Sequence, residues 1–165
     1  MQVRIRTTGA VMYEAELRTW LHENDGPSYD TLTPEVMDAI GVDPVFEGPQ
    51  ASGGTVYQHS QRDGVEQISG NWYTKYILGP VFIDSTVDGV TTTAAEAEAA
   101  YKATKDAEQA KNVRRSRNDL LTECDWTQIV DSTADKPAWA TYRQALRDVT
   151  AQEGFPWNVT WPQQP

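Results

Sequence analysis

Between Thr93 and Thr122 the chain holds neither glycine nor proline, and the stretch opens on Thr93-Ala94-Ala95-Glu96. A threonine with glutamate three residues later is a capping box, in which each side chain satisfies an orphan backbone N–H of the first helical turn. From Ala97 to about Asn112 the chain is mostly alanine, glutamate and lysine, residues that cost little to hold helical. Carried on to Thr122, such a helix would extend about 45 Å at about 1.5 Å per residue. Large apolar side chains are scarce in it, with Tyr101 and Val113 standing among alanines. A helix so poor in core residues is a spacer or a weak alanine-faced coiled coil rather than the centre of a globule. The spacing therefore predicts an α+β chain in three parts. Residues 1–86 form a small antiparallel-sheet (β-meander) domain, 87–111 an alanine-rich helical connector, and 112–165 a C-terminal helical hairpin with an extended Trp/Pro-rich tail.

Composition agrees with small modules rather than one large core. Only 39% of residues are apolar and the mean hydropathy is -0.60. The net charge of -10 opposes sequence-independent binding to nucleic acid or to an anionic membrane. That charge is uneven: residues 1–90 carry 13 acids against 5 Lys/Arg (-8), whereas 91–165 carry 11 against 9 (-2). Cys124 is the single cysteine, so no intramolecular disulfide can form. The opening MQVRIRTTGAVMYEAEL lacks the apolar core of a secretory signal. No run approaches the roughly 20 apolar residues of a membrane span. A soluble protein, intracellular when made, is expected.

In the first part, Val3 and Ile5 alternate with Arg4 and Arg6, a half-buried strand pattern. Residues 10–23 read as helix, with Tyr13, Leu17, Trp20 and Leu21 at 3- and 4-residue spacing. Thr33-Pro34-Glu35 is a strong helix start and Gly41 its stop. From Thr55 the period becomes two. Val56 and Gln58, then Val65, Gln67 and Ile68, suggest short strands joined by a hairpin turn at Asp63-Gly64. Ser69-Gly70-Asn71 is a second turn, and Trp72 to Leu78 is a strand by its aromatic and β-branched content. Asp84 to Thr92 reads as loose chain.

The last third holds four of the six tryptophans: Trp126, Trp139, Trp157 and Trp161. Val113, Leu120, Leu121 and Cys124 fall on one side of a helix, with Arg114, Arg115 and Arg117 mostly opposite. Asp135 and Pro137 start a second helix whose apolar face is Trp139, Tyr142, Ala145, Leu146 and Val149. Phe155 to Pro162 is expected to be extended, because a residue before proline is pushed out of the helical region. Two helices and a tail bury little surface by themselves, so these rings carry much of the module's stability. The core assignments are Leu120, Leu121, Trp126, Trp139, Tyr142 and Leu146. Trp157 and Trp161 leave two alternatives open: they fold back as core, or with Phe155 they anchor a partner. Arg143 and Arg147, four apart beside Trp139, either pair internally with Asp125, Asp131 or Asp148, or rim that aromatic patch for a partner.

Nothing in the pattern points to catalysis, a metal or a cofactor. His22 and His59 lie apart, with no cysteine or acid at ligand spacing. Cys124 precedes Asp125, which raises rather than lowers a thiol pKa, so it reads as a small buried residue. The Lys111 to Arg117 cluster reads as a solvated helix face, and Asn158-Val159-Thr160 as a glycosylation triplet without a secretory context.

RNDLLTECDWTQ, with WATYRQALRDVTAQEGFPWNVTWP after it, resembles the C-terminal domain of bacteriophage tail assembly chaperone, or tail fibre assembly, proteins. The shared features are R-x-x-L-L-x-x-x-D-W-T-Q from Arg117, W-x-x-Y-R-Q-x-L-R-D from Trp139, and F-P-W-x-x-x-W-P from Phe155, about 50 residues in all. LTPEVMDAIGVDPV and RDGVEQISGNWYTKY resemble the small β-rich domains that precede it in such phage proteins, whereas the alanine-rich helix departs from the pattern. The resemblance implies a non-enzymatic protein in the host cytoplasm that binds a tail or tail-fibre protein while it folds or trimerises. The alternative is a permanent virion component, a tail, baseplate or fibre-linking subunit, for which the central helix is an adaptor or a homo-oligomer contact. Arg143, Arg147, Phe155, Trp157 and Trp161 are the expected partner-binding residues.

Overall fold

The computed structural model describes all 165 residues, and the fold is mixed α+β with four α-helices. The chain divides into two compact units, Met1–Val81 and Phe82–Pro165.

The first unit is a five-stranded sheet with two helices. Strands β1 (Gln2–Ile5), β2 (Val11–Tyr13), β3 (Val42–Phe46), β4 (His59–Ile68) and β5 (Asn71–Gly79) lie in the order β2-β1-β3-β5-β4. All pairings are antiparallel except β3 with β5, which is parallel. Val3 and Ile5 on β1 are buried against Val42, Leu17 and Leu21 of α1 (Glu14–Glu23) and Met37 of α2 (Pro34–Ile40). The α2 start is as its sequence demands: the Thr33 hydroxyl accepts from the Val36 N–H, Pro34 opens the helix and Gly41 closes it.

Three readings need correction here. The predicted helix over 10–23 begins only at Glu14, because Val11–Tyr13 pairs with β1 and Glu16 reaches back to the Tyr13 N–H. Val56 and Gln58 lie before the first strand of the hairpin, in a turn closed by the Gln58 side chain on Thr55. Asp63-Gly64 is no hairpin turn but a bulge inside β4, where the register shifts between Arg62 and Val65 and Gly64 takes φ +79°. Asp-Gly supplies the same left-handed residue to a bulge as to a tight turn. The reversal is at Ser69-Gly70 instead.

The second unit opens with a two-stranded ribbon, β6 (Ser85–Val87) and β7 (Val90–Thr92), where loose chain was expected. Helix α3 then runs unbroken from Ala94 to Glu123, started by the Thr93/Glu96 capping box. A 3-10 turn comes next at Asp125–Gln128, and α4 (Lys136–Asp148) is capped by Asp135 on the Ala138 N–H. The last segment departs from the extended course read for Phe155 to Pro162. Residues 152–158 form a compact turn, in which the Asn158 N–H donates to the Gly154 carbonyl. One side chain closes it: the Gln152 amide donates to the Thr160 carbonyl and accepts the Thr160 N–H. Only from Val159 onward does the backbone leave this turn.

Candidate functional site

The core of the second unit is Cys124, Tyr142 and Leu146, with Leu120, Leu121, Trp139 and Trp161 packed on it. Val113 and Val149 are buried as well. Of the residues expected as core, Tyr142 and Leu146 lie in this cluster and Leu120, Leu121 and Trp139 are partly buried against it. Trp126 is not among them. It is 54% exposed, touching the cluster only edge-on through Trp139, whose ring centroid is 5.9 Å away. The reason is its neighbour. Thr127 is fully buried, its hydroxyl donating to the Cys124 carbonyl at 2.7 Å and accepting from the Gln128 amide at 2.8 Å. A 3-10 turn can bury one of two adjacent residues, and the hydroxyl with both hydrogen bonds met takes the inner place.

That choice creates a surface. Beyond Trp126 come Ile129, 55% exposed, and Val130, 94% exposed. The aromatic row continues inward from Trp126 to Trp139 and Tyr142 by edge-on contacts, so the outer ring stands on a rigid base. Lys136 donates to the Val130 carbonyl at 3.0 Å and holds the loop. An indole at the buried turn and two aliphatic side chains just after it are thus exposed within five residues of chain, an apolar projection flanked in sequence by Asp125 and Asp131. Sequence reading missed Ile129 and Val130; the signal was an Ile-Val pair lying between two helical patterns and belonging to neither.

The five residues expected to bind a partner fare differently. Arg143 is turned inward, its side chain 12% exposed. It donates to the Leu121 carbonyl and to Cys124 Sγ, at 2.8 and 2.9 Å, and to Asp125 Oδ1 at 2.8 Å. Burial pulls its pKa down, but its hydrogen bonds to Asp125 and Cys124 outweigh this and leave it raised. Its guanidinium therefore pins the end of α3 to α4 by capping a carbonyl that the helix cannot satisfy, and it is no rim residue. Arg147, one turn on, is exposed. Phe155, Trp157 and Trp161 are all half-buried. Trp161 packs on the core cluster, the Trp157 indole N–H donates to Asp106 of α3, and Arg114 of α3 lies 5.3 Å over the Phe155 ring. The final segment is thus laid along α3, with part of each ring still reachable.

No group of three or more His, Cys, Asp or Glu side chains is placed to hold a metal ion, and no helix is long and apolar enough to cross a membrane. The unit combines a small aromatic core, an internally pinned arginine and exposed apolar side chains at Trp126, Ile129 and Val130. Residues 110–165, from the middle of α3 to the C-terminus, match the model of the phage tail assembly chaperone protein family. This segment carries the core, the projection and the closing turn together. No curated protein and no solved structure matches the chain.

Proposed function

We propose that this chain is a tail assembly chaperone, acting in the host cell cytoplasm, which holds an immature tail or tail-fibre protein while it folds or trimerises. The observation that carries the reading is the family match over 110–165. The exposed Trp126, Ile129 and Val130 support it by chemistry, since immature assembly proteins expose apolar surface that a chaperone must cover. A tryptophan on a rigid aromatic base is the residue type that dominates protein interfaces. We place the client contact there, with the reachable edges of Phe155, Trp157 and Trp161 and the exposed Arg147 as further contacts. Arg143 acts through the fold and does not touch the client. An assembly factor leaves its product, so mass spectrometry of purified particles is expected to find tail proteins without this chain. Stoichiometric copies in the particle would instead make it a permanent tail or baseplate subunit.

A further inference from the structure

Helix α3 carries a second surface that the apolar projection does not use. Lys111, Arg114 and Arg115 are all exposed and fall at i, i+3 and i+4, so they share one face. With Glu108, Asn112, Asn118 and Asp119 they line a shallow groove of about 830 Å³. Six of the 14 Lys/Arg side chains hold an acid within ion-pair distance (Arg6, Arg18, Lys75, Lys102, Lys105 and Arg143), whereas Arg4, Arg62, Arg117, Lys136 and Arg147 do not. Lys111, Arg114 and Arg115 have none, although the chain has ten more acids than bases. Glu108, the acid nearest Lys111, already pairs with Lys105.

The helix gains little for itself from this arrangement: Glu108 and Asp119 stand three and four residues from Lys111 and Arg115, but Glu108 is paired with Lys105 and neither acid closes an ion pair with the cluster. Lys111 with Arg114, Lys111 with Arg115, and Arg114 with Arg117 are like charges at 3- and 4-residue spacing, which weaken a helix. The helix dipole does not account for them either, because its effect is confined to the last turn and α3 runs on to Glu123. Arg114, over the Phe155 ring, is held in place rather than left to sweep solvent.

We propose that the Lys111–Arg114–Arg115 face binds an acidic segment of a protein partner, two or three carboxylates long. Length argues for a polypeptide over a nucleic acid. The three cations span five residues, about 6 Å of helix axis, and acids bracket them at Glu108 and Asp119. A phosphate backbone needs a longer basic track, typically six or more contacts, to hold against salt. A short carboxylate cluster fits between the brackets, where Asn112 and Asn118 supply amide donors beside the charges. This site lies on a different surface from the apolar projection, and its occupant need not be the same protein.

The full chain is tested by fluorescence anisotropy against a labelled peptide bearing six glutamates between Gly-Ser flanks. A matched six-lysine peptide and a single-stranded DNA of equal charge serve as comparisons. The glutamate peptide is expected to bind, to weaken as salt rises, and to lose about tenfold or more in affinity in the Lys111→Ala/Arg115→Ala variant. Alanine is the best helix former, so circular dichroism should find α3 intact in that variant; Arg115→Lys keeps most of the binding. Three results would overturn the proposal. They are no binding of the glutamate peptide, equal affinity in the double variant, or tighter binding of the DNA with the same loss. A chain that is dimeric by light scattering and monomeric in the double variant would assign the face to a second copy instead.

Discussion

Two arginines four residues apart on one helix are placed differently, Arg143 turned into the fold and Arg147 exposed, and what Arg143 contributes to the fold is testable. Arg143→Ala removes the donor that satisfies the Leu121 carbonyl and Cys124, and should destabilise the second unit by about 2–3 kcal/mol, as charged hydrogen bonds do. Asp125→Asn should cost less than about 1 kcal/mol, because its carboxylate is 64% exposed and the ion pair alone is screened. Calorimetry of the two variants should give those two sizes in that order. Trp126 makes the complementary case. Trp126→Ala forfeits an edge-on ring contact worth about 1 kcal/mol yet should abolish most client binding, whereas Trp139→Ala should unfold the unit. A Trp126→Ala chain that melts as early as Trp139→Ala would return the indole to the core. Gly154 is the third residue with a specific demand: a Cβ there would overlap the Asn158 carbonyl oxygen. Gly154→Ala should therefore open the closing turn and free Trp157, seen as a red shift in tryptophan emission; Gln152→Ala, losing two exposed hydrogen bonds, should do so by about 1 kcal/mol or less.

At the scale of elements, the caps were readable and the reversals were not. Thr33-Pro34, Thr93 with Glu96, and Asp135 before Pro137 each start a helix where local chemistry demanded, since a cap is decided within four residues. Asp63-Gly64 misled because bulge and turn both need a left-handed residue, and only the length of the β5 partner strand tells them apart. The β6–β7 ribbon escaped because its residues are exposed on both faces and so show no alternation of burial. Trp126 escaped because the competition within a 3-10 turn, hydroxyl against indole, is settled by the carbonyl of Cys124, which no periodicity reveals. The α3 cap also carries a pH dependence. Hydrogen bonds from the Thr93 backbone and hydroxyl hold the Glu96 carboxyl below its ordinary value, against a smaller effect of burial. A depressed carboxyl contributes its stability above the unfolded pKa and loses it as pH falls through the folded one. Protection of the first-turn amides of α3, taken relative to their intrinsic exchange rate, should thus be highest at neutral pH and fall as pH drops below the usual carboxylate range. In Glu96→Ala the same amides should lack that protection throughout.

For the whole molecule, the two units differ in kind. The first is a mixed sheet with its own aliphatic core, and residues 1–109 carry the entire net charge, 17 acids against 7 bases. The second is neutral over the family-matched segment and concentrates the aromatic core, the apolar projection and the basic face of α3. The proposed role in tail assembly rests on that second unit, and coexpression tests it most directly. Each tail protein encoded alongside this chain is produced in a bacterial host, alone, with the full chain, and with Trp126→Ala. Soluble, trimeric tail-fibre protein recovered only in the presence of the unaltered chain, and lost with Trp126→Ala, is the expected result. Equal yields of the soluble trimer under all three conditions would contradict the account.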